Sequence, residues 1–159
     1  MEEKSIYNFK MLSGGIATSG QPTAEELLHI VKAGYDVVIN LGLFDADYSV
    51  KNEEQLLKSS QIKYIHIPVR FEAPKDKDLR EFISALNRHK ESKIFVHCAA
   101  NKRVSVFMAL YRILVLGWEK DKAINDLEKI GKPNSIWQSF IEKQLTHMRT
   151  QKVNRQNKD

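Results

Sequence analysis

A single cysteine, Cys98, stands in a chain of 159 residues, so no internal disulfide can form and the fold needs no oxidising compartment. No stretch reaches the ~18 uncharged apolar residues of a membrane-spanning helix. The opening MEEKSIYNFK is charged and has no apolar core, so no signal peptide is expected and the cytoplasm is the expected location. The five histidines show no ligand spacing, so neither a metal nor another cofactor is expected. Basic residues exceed acidic ones by only 25 to 20, with a pI near 9.2. That excess is too small to imply nucleic acid and suits an acidic or phosphorylated substrate equally well.

What is present is an alternation of strand and helix patterns. Ile6 to Leu12 and Ile16 to Ser19, separated by Gly14 and Gly15, read as a hairpin or two short strands. Thr23 with Glu26 forms a capping box for a helix ending at Gly34. YDVVINL, from Tyr35 to Leu41, reads as a core strand, Asn52 to Ser59 as a short helix and Ile62 to Val69 as the next strand. Leu79, Phe82, Ile83 and Leu86 keep helical spacing, and Lys93 to His97 reads as a buried strand. Three helices close the chain, from Arg103 to Leu116, Asp121 to Ile130 and Ser135 to about Met148. The expectation is one α/β domain over residues 1–148, with a largely parallel central sheet flanked by helices and a helical C-terminal part. Residues 149–159 read as a basic, disordered tail.

Cys98 falls between the buried strand and the helix opened by Arg103, in KIFVHCAANKRVS. In a parallel α/β sheet a ligand sits beyond the carboxyl ends of the strands. A thiol there is nucleophilic as its thiolate, which a helix N-terminus and Arg103 stabilise. Backbone N–H groups of Ala99, Ala100, Asn101 and Lys102 can hold a tetrahedral oxyanion while the Arg103 guanidinium binds two of its oxygens. Small side chains at Ala99 and Ala100 leave that cradle open. Ser105 can donate to the departing sulfur, or simply bond its own helix. His97 can set the turn's geometry from behind, and Asn101 tolerates a left-handed backbone.

The turn resembles the signature of the cysteine-dependent protein tyrosine and dual-specificity phosphatases: His-Cys, five residues, Arg, then Ser or Thr. TSGQP (Thr18 to Pro22), VINL (Val38 to Leu41) and YIHIPV (Tyr64 to Val69) extend the resemblance. They bring it nearest to the bacterial phosphatase-like domain of beta-lactamase-hydrolase-like proteins, over roughly residues 5–145. The resemblance implies a protein tyrosine phosphatase-like fold and a phosphate monoester hydrolase working through a phosphocysteine. Its implied substrate is a phosphorylated protein or small molecule, with neither nucleic acid nor membrane as partner. Such enzymes protonate the leaving oxygen with an aspartate on the loop ahead of the nucleophile strand; on spacing, Glu72 takes that place here.

Arg103 stands one position earlier than the signature asks, leaving four residues between it and Cys98. Four is also the spacing of many rhodanese-type sulfurtransferase loops. Two alternatives therefore stay open beside the phosphatase: a persulfide-carrying sulfurtransferase, and a phosphate-binding pseudophosphatase.

Overall fold

Five strands form one sheet in the computed structural model, which describes residues 5–12 and 14–156, with side chains as far as residue 147. In chain order they are β1 (Lys10–Met11), β2 (Ile16–Ser19), β3 (Val37–Asn40), β4 (Lys63–His66) and β5 (Ile94–His97). The spatial order is β1-β2-β5-β3-β4, which puts the strand that ends at His97 in the middle. β1 and β2 pair antiparallel as a hairpin, while β2–β5, β5–β3 and β3–β4 are parallel. The expected α/β class with a largely parallel sheet is what the chain adopts.

The helices are α1 (Ala24–Lys32), α2 (Glu53–Ser59), α3 (Asp76–Arg88), α4 (Lys102–Leu114), α5 (Lys120–Glu128) and α6 (Ser135–Gln156). At α1 the capping box closes as read: Glu26 N–H donates to Thr23 Oγ1 at 3.1 Å, and Thr23 N–H to Glu26 Oε1 at 2.8 Å. α4 stops at a glycine in the left-handed region, Gly117 at φ 78°, and Trp118 N–H donates to the Arg112 carbonyl at 2.9 Å. α6 stays helical to Gln156 rather than ending near Met148. Residues 149–156, RTQKVNRQ, contain neither proline nor glycine to stop a helix. The last part of the expected tail, 157–159, lies outside the described residues.

Side-chain alternation along the strands sends residues to two cores. Ile94, Val96 and Cys98 join Val37, Ile39 and Leu41 against α3 to α6, whereas Phe95 joins Val38, Leu27, Ile30 and Leu57 against α1 and α2. α4 is enclosed on most sides, and its Phe107 ring packs against Phe82, Trp137 and Phe140. Register then sets up the site. Ser19 is paired with His97, His97 with Asn40 and Asn40 with His66, so these four residues form one row across the carboxyl edge of the sheet.

Asp126 of α5 anchors the far side. It pairs with Lys10 at 2.8 Å and with Arg112, tying β1 and α4 to α5. Partial burial pushes its carboxyl up, but Lys10 and Arg112 outweigh this and bring it from the ordinary 3.8 to about 2. The folded value is the lower one, so the pairing stabilises fully above pH 3.8 and is lost as the pH falls towards 2. Melting temperatures of wild type and Asp126→Asn are therefore expected to converge between pH 5 and pH 2. A constant gap across that range would contradict the assignment.

Candidate active site

The chain leaves β5 at His97 and reverses within residues 98–101 to enter α4. Asn101 makes the reversal, at φ 65° and ψ 6°. This is the left-handed conformation its side chain was expected to tolerate. Asn101 is fully buried, and its Nδ2 donates to the Asn8 carbonyl at 2.9 Å and to Thr18 Oγ1 at 3.0 Å. The side chain thus braces the turn from the sheet edge instead of capping α4. The first N–H groups of the helix are left without a side-chain cap, and its first turn holds Lys102 and Arg103 but no acidic residue. The positive end of the helix dipole and N–H groups without a side-chain cap follow directly on Cys98, which favours an anion.

TSGQP clamps this turn from the neighbouring strand. Ser19 O accepts from Cys98 N–H at 3.4 Å, Gln21 N–H donates to Ala99 O at 3.0 Å, and Asn8 Nδ2 donates to Ala100 O at 3.0 Å. Gly20 sits between the two chains, where a Cβ would lie 2.6 Å from Ala99 O and 2.7 Å from Tyr7 Cδ2. The first of these is backbone and cannot swing away. Gly20→Ala is expected to force the turn off β2, costing about 1–3 kcal/mol by overpacking and weakening oxyanion affinity. Chemical denaturation and phosphate titration would check it. A variant with wild-type stability and affinity would show the close approach to be dispensable.

His97, the last residue of β5, and Cys98 directly after it face opposite ways. Cys98 is buried on the α4 side, whereas His97 points to α2, where its Nε2–H donates to Glu53 Oε2 at 2.6 Å. Glu53 Oε1 accepts from Gln21 Nε2 at 2.9 Å. Both members of the His97–Glu53 pair are almost wholly excluded from solvent. Burial pushes the Glu53 carboxyl up, yet His97, Gln21 and His66 together outweigh that and hold it below its ordinary value.

Arg103 is buried, with Nη1 donating to the Val69 carbonyl at 2.7 Å and Nη2 to Tyr48 Oη at 3.3 Å. Its guanidinium carbon lies 5.7 Å from the centre of the Tyr48 ring. Leu43 N–H also donates to Tyr48 Oη, at 2.7 Å, so this phenol joins the irregular 43–50 loop to the arginine. Two of the five guanidinium donors are engaged, which fixes the plane of the group.

Other sequence-chosen residues are placed differently. Lys102 is exposed at the start of α4. Ser105 donates its hydroxyl to the Lys102 carbonyl at 3.0 Å and lines a small cavity with Lys10, Thr18 and Arg112, so the helix-bonding reading describes its contact. Glu72 is exposed on the loop after β4 and faces Arg70 at 3.6 Å.

Glu53 and Tyr48 were not singled out from sequence. Glu53 reads there as one of two first-turn acids of a short helix, and its only signal is that it falls four residues before the buried Leu57, on the inner face. Tyr48 gives no signal beyond being an aromatic in an acidic loop. No group of three or more His, Cys, Asp or Glu side chains is arranged to hold a metal among the described residues.

The class defined by this sheet and turn is that of the cysteine-dependent tyrosine and dual-specificity phosphatases. The chain belongs to the family described as DSP-PTPase phosphatase fused to NAD+ kinase, which matches residues 8–154. It is similar to the dual specificity protein phosphatase TpbA of Pseudomonas aeruginosa, at 21% identity over 127 residues, covering 78% of this chain and 55% of TpbA. The chain therefore spans about half the length of the curated relatives it matches.

Among solved structures, a DUF442 protein of Shewanella putrefaciens superposes with a TM-score of 0.80 at 25% identity, over 91% of this chain and 95% of that one. The core catalytic domain of the PP-IP phosphatase SIW14 of S. cerevisiae shares the fold, with a TM-score of 0.72 at 20% identity over 86% and 85% of the two chains.

Proposed function

We propose that this chain hydrolyses phosphate monoesters through a phosphocysteine at Cys98. The observation that carries the reading is the Cys98 turn itself, a thiol at the end of the central strand running into the uncapped, cationic start of α4. The Cys98 thiolate attacks phosphorus, forming S–P as the P–O bond to the leaving group breaks. Arg103 and the N–H groups of residues 99–102 hold the equatorial oxygens, and water then cleaves S–P to release inorganic phosphate. Glu72 is the carboxyl assigned to protonate the leaving oxygen. Exposed and paired with Arg70, it is not enclosed with the ester, so substrates with good leaving groups are expected to turn over fastest.

A phosphorylated protein or small molecule fits the site. TpbA has been solved with phosphotyrosine bound, which supports trying aryl phosphates first. A free thiol suits the reducing conditions of a cytoplasm, and no described helix is long and apolar enough to cross a membrane.

The test is hydrolysis of p-nitrophenyl phosphate by the purified chain, set beside thiosulfate:cyanide sulfur transfer. Ester hydrolysis with background sulfur transfer is expected; the reverse would convert the site to a sulfurtransferase, a reading that rests on the four-residue spacing to Arg103. Phosphate binding without hydrolysis would make it a pseudophosphatase. Arg103→Lys keeps the charge but loses the fork that Val69 and Tyr48 hold in plane. Its kcat/KM is expected to fall by about 10²–10³, as for loss of one oxyanion donor. Near-wild-type kinetics would remove Arg103 from the transition state.

A further inference from the structure

A cavity of about 220 Å³ opens beside the catalytic turn, walled by Phe71, Val106, Pro133 and Trp137 and flanked by Lys102 and Lys132. Two connections join it to the site. Lys102 is the first residue of α4, directly after the turn, and Phe71 stands two residues after Val69, whose carbonyl holds Arg103. The opposite wall is firmly built. Trp137 Nε1–H donates to the Phe71 carbonyl at 2.7 Å, and Asn134 Oδ1 accepts from Trp137 N–H at 3.0 Å, fixing the start of α6 against the loop after β4.

The lining has a consistent chemistry. Its floor is apolar and aromatic, and its volume, below the about 300–1,000 Å³ of sites for drug-sized ligands, suits a group of one or two rings. Among the described residues no carboxylate lines it, and neither Lys102 nor Lys132 has a carboxylate within ion-pair distance. Two exposed, unneutralised ammonium groups over an apolar floor complement an apolar body that carries its own negative charge.

We infer that this cavity is the subsite for the alcohol part of the substrate, and that the preferred esters carry an apolar, ring-sized group with a second anionic group directed at Lys102 and Lys132. The inference rests on Cys98 being the phosphate site. Phosphate on the turn and an apolar group against Phe71 and Trp137 would be two ends of one molecule.

The experiment compares phenyl phosphate, 2-naphthyl phosphate and 6-carboxy-2-naphthyl phosphate. The wild type is expected to favour the carboxylated naphthyl ester over its neutral parent by about fivefold in kcat/KM, the upper range for exposed ion pairs, and less at high salt. Lys132→Ala should bring that ratio towards one, and Phe71→Ala should shrink the preference of both naphthyl esters over phenyl phosphate. A ratio near one in the wild type, or a ratio unmoved by Lys132→Ala, would overturn the subsite. Calorimetric titration of the same esters into Cys98→Ser protein reads the cavity without turnover. A Lys132-dependent preference there, with no hydrolysis by the wild type, would keep the subsite and dismiss the hydrolase instead.

Discussion

Cys98→Ser protein is expected to lose ester hydrolysis by on the order of 10⁴–10⁶-fold, the scale of deleting a nucleophile from a concerted site, while it still binds inorganic phosphate. The two halves of this result come from separate parts of the structure. Nucleophilic attack needs the sulfur, and a serine hydroxyl in its place has no adjacent base to activate it, since the neighbouring imidazole faces the opposite side of the sheet. In the proposed mechanism oxyanion affinity comes from the N-terminus of α4 and from Arg103, which is held by Val69 and Tyr48 and not by the thiol. Steady-state kinetics with p-nitrophenyl phosphate and calorimetric phosphate titration would measure both. Residual hydrolysis within tenfold of wild type would sink the phosphocysteine route, and lost phosphate binding would show the cradle to depend on the sulfur.

Glu53→Ala is expected to be the most destabilising single substitution near the site. It leaves the His97 ring buried without its carboxylate, and breaking a buried pair by removing one partner costs about 3–5 kcal/mol. For a domain of this size that lowers the melting temperature by roughly 10 °C. Glu53→Gln keeps an oxygen for the imidazole N–H and should lose much less. Because the folded Glu53 carboxyl lies below its ordinary value of 4.5, the pair stabilises above pH 4.5 and weakens as the pH falls through the lowered value. Part of the acid sensitivity should therefore vanish in Glu53→Gln. Equal melting temperatures for wild type and Glu53→Ala would show that the pair contributes nothing to stability.

Reading from sequence worked where the determinants are local. Thr23 and Glu26 announce their capping box by spacing alone, and Asn101 is a residue that accepts the left-handed angle the turn requires. Cys98 could be placed at a strand's carboxyl end because the apolar runs before and after it differ in period. The partners of the site were hidden because partnership is decided by register and by how helices settle on the sheet. A buried His97 implies an acceptor, yet among 20 acidic residues nothing local marks Glu53. Tyr48 becomes a partner of Arg103 only once its loop folds back over the edge of β3. α6 ran past its expected end because polarity alone does not stop a helix.

The bracing of the Cys98 turn by Asn8, Thr18, Ser19 and Gln21 has a kinetic meaning. These contacts join positions about eighty to ninety residues apart, and such closures are slow relative to the helical turns on either side. The Cys98 turn is then expected to close late in folding. A chain caught partway through refolding would carry most of its helices, with its thiol unhoused.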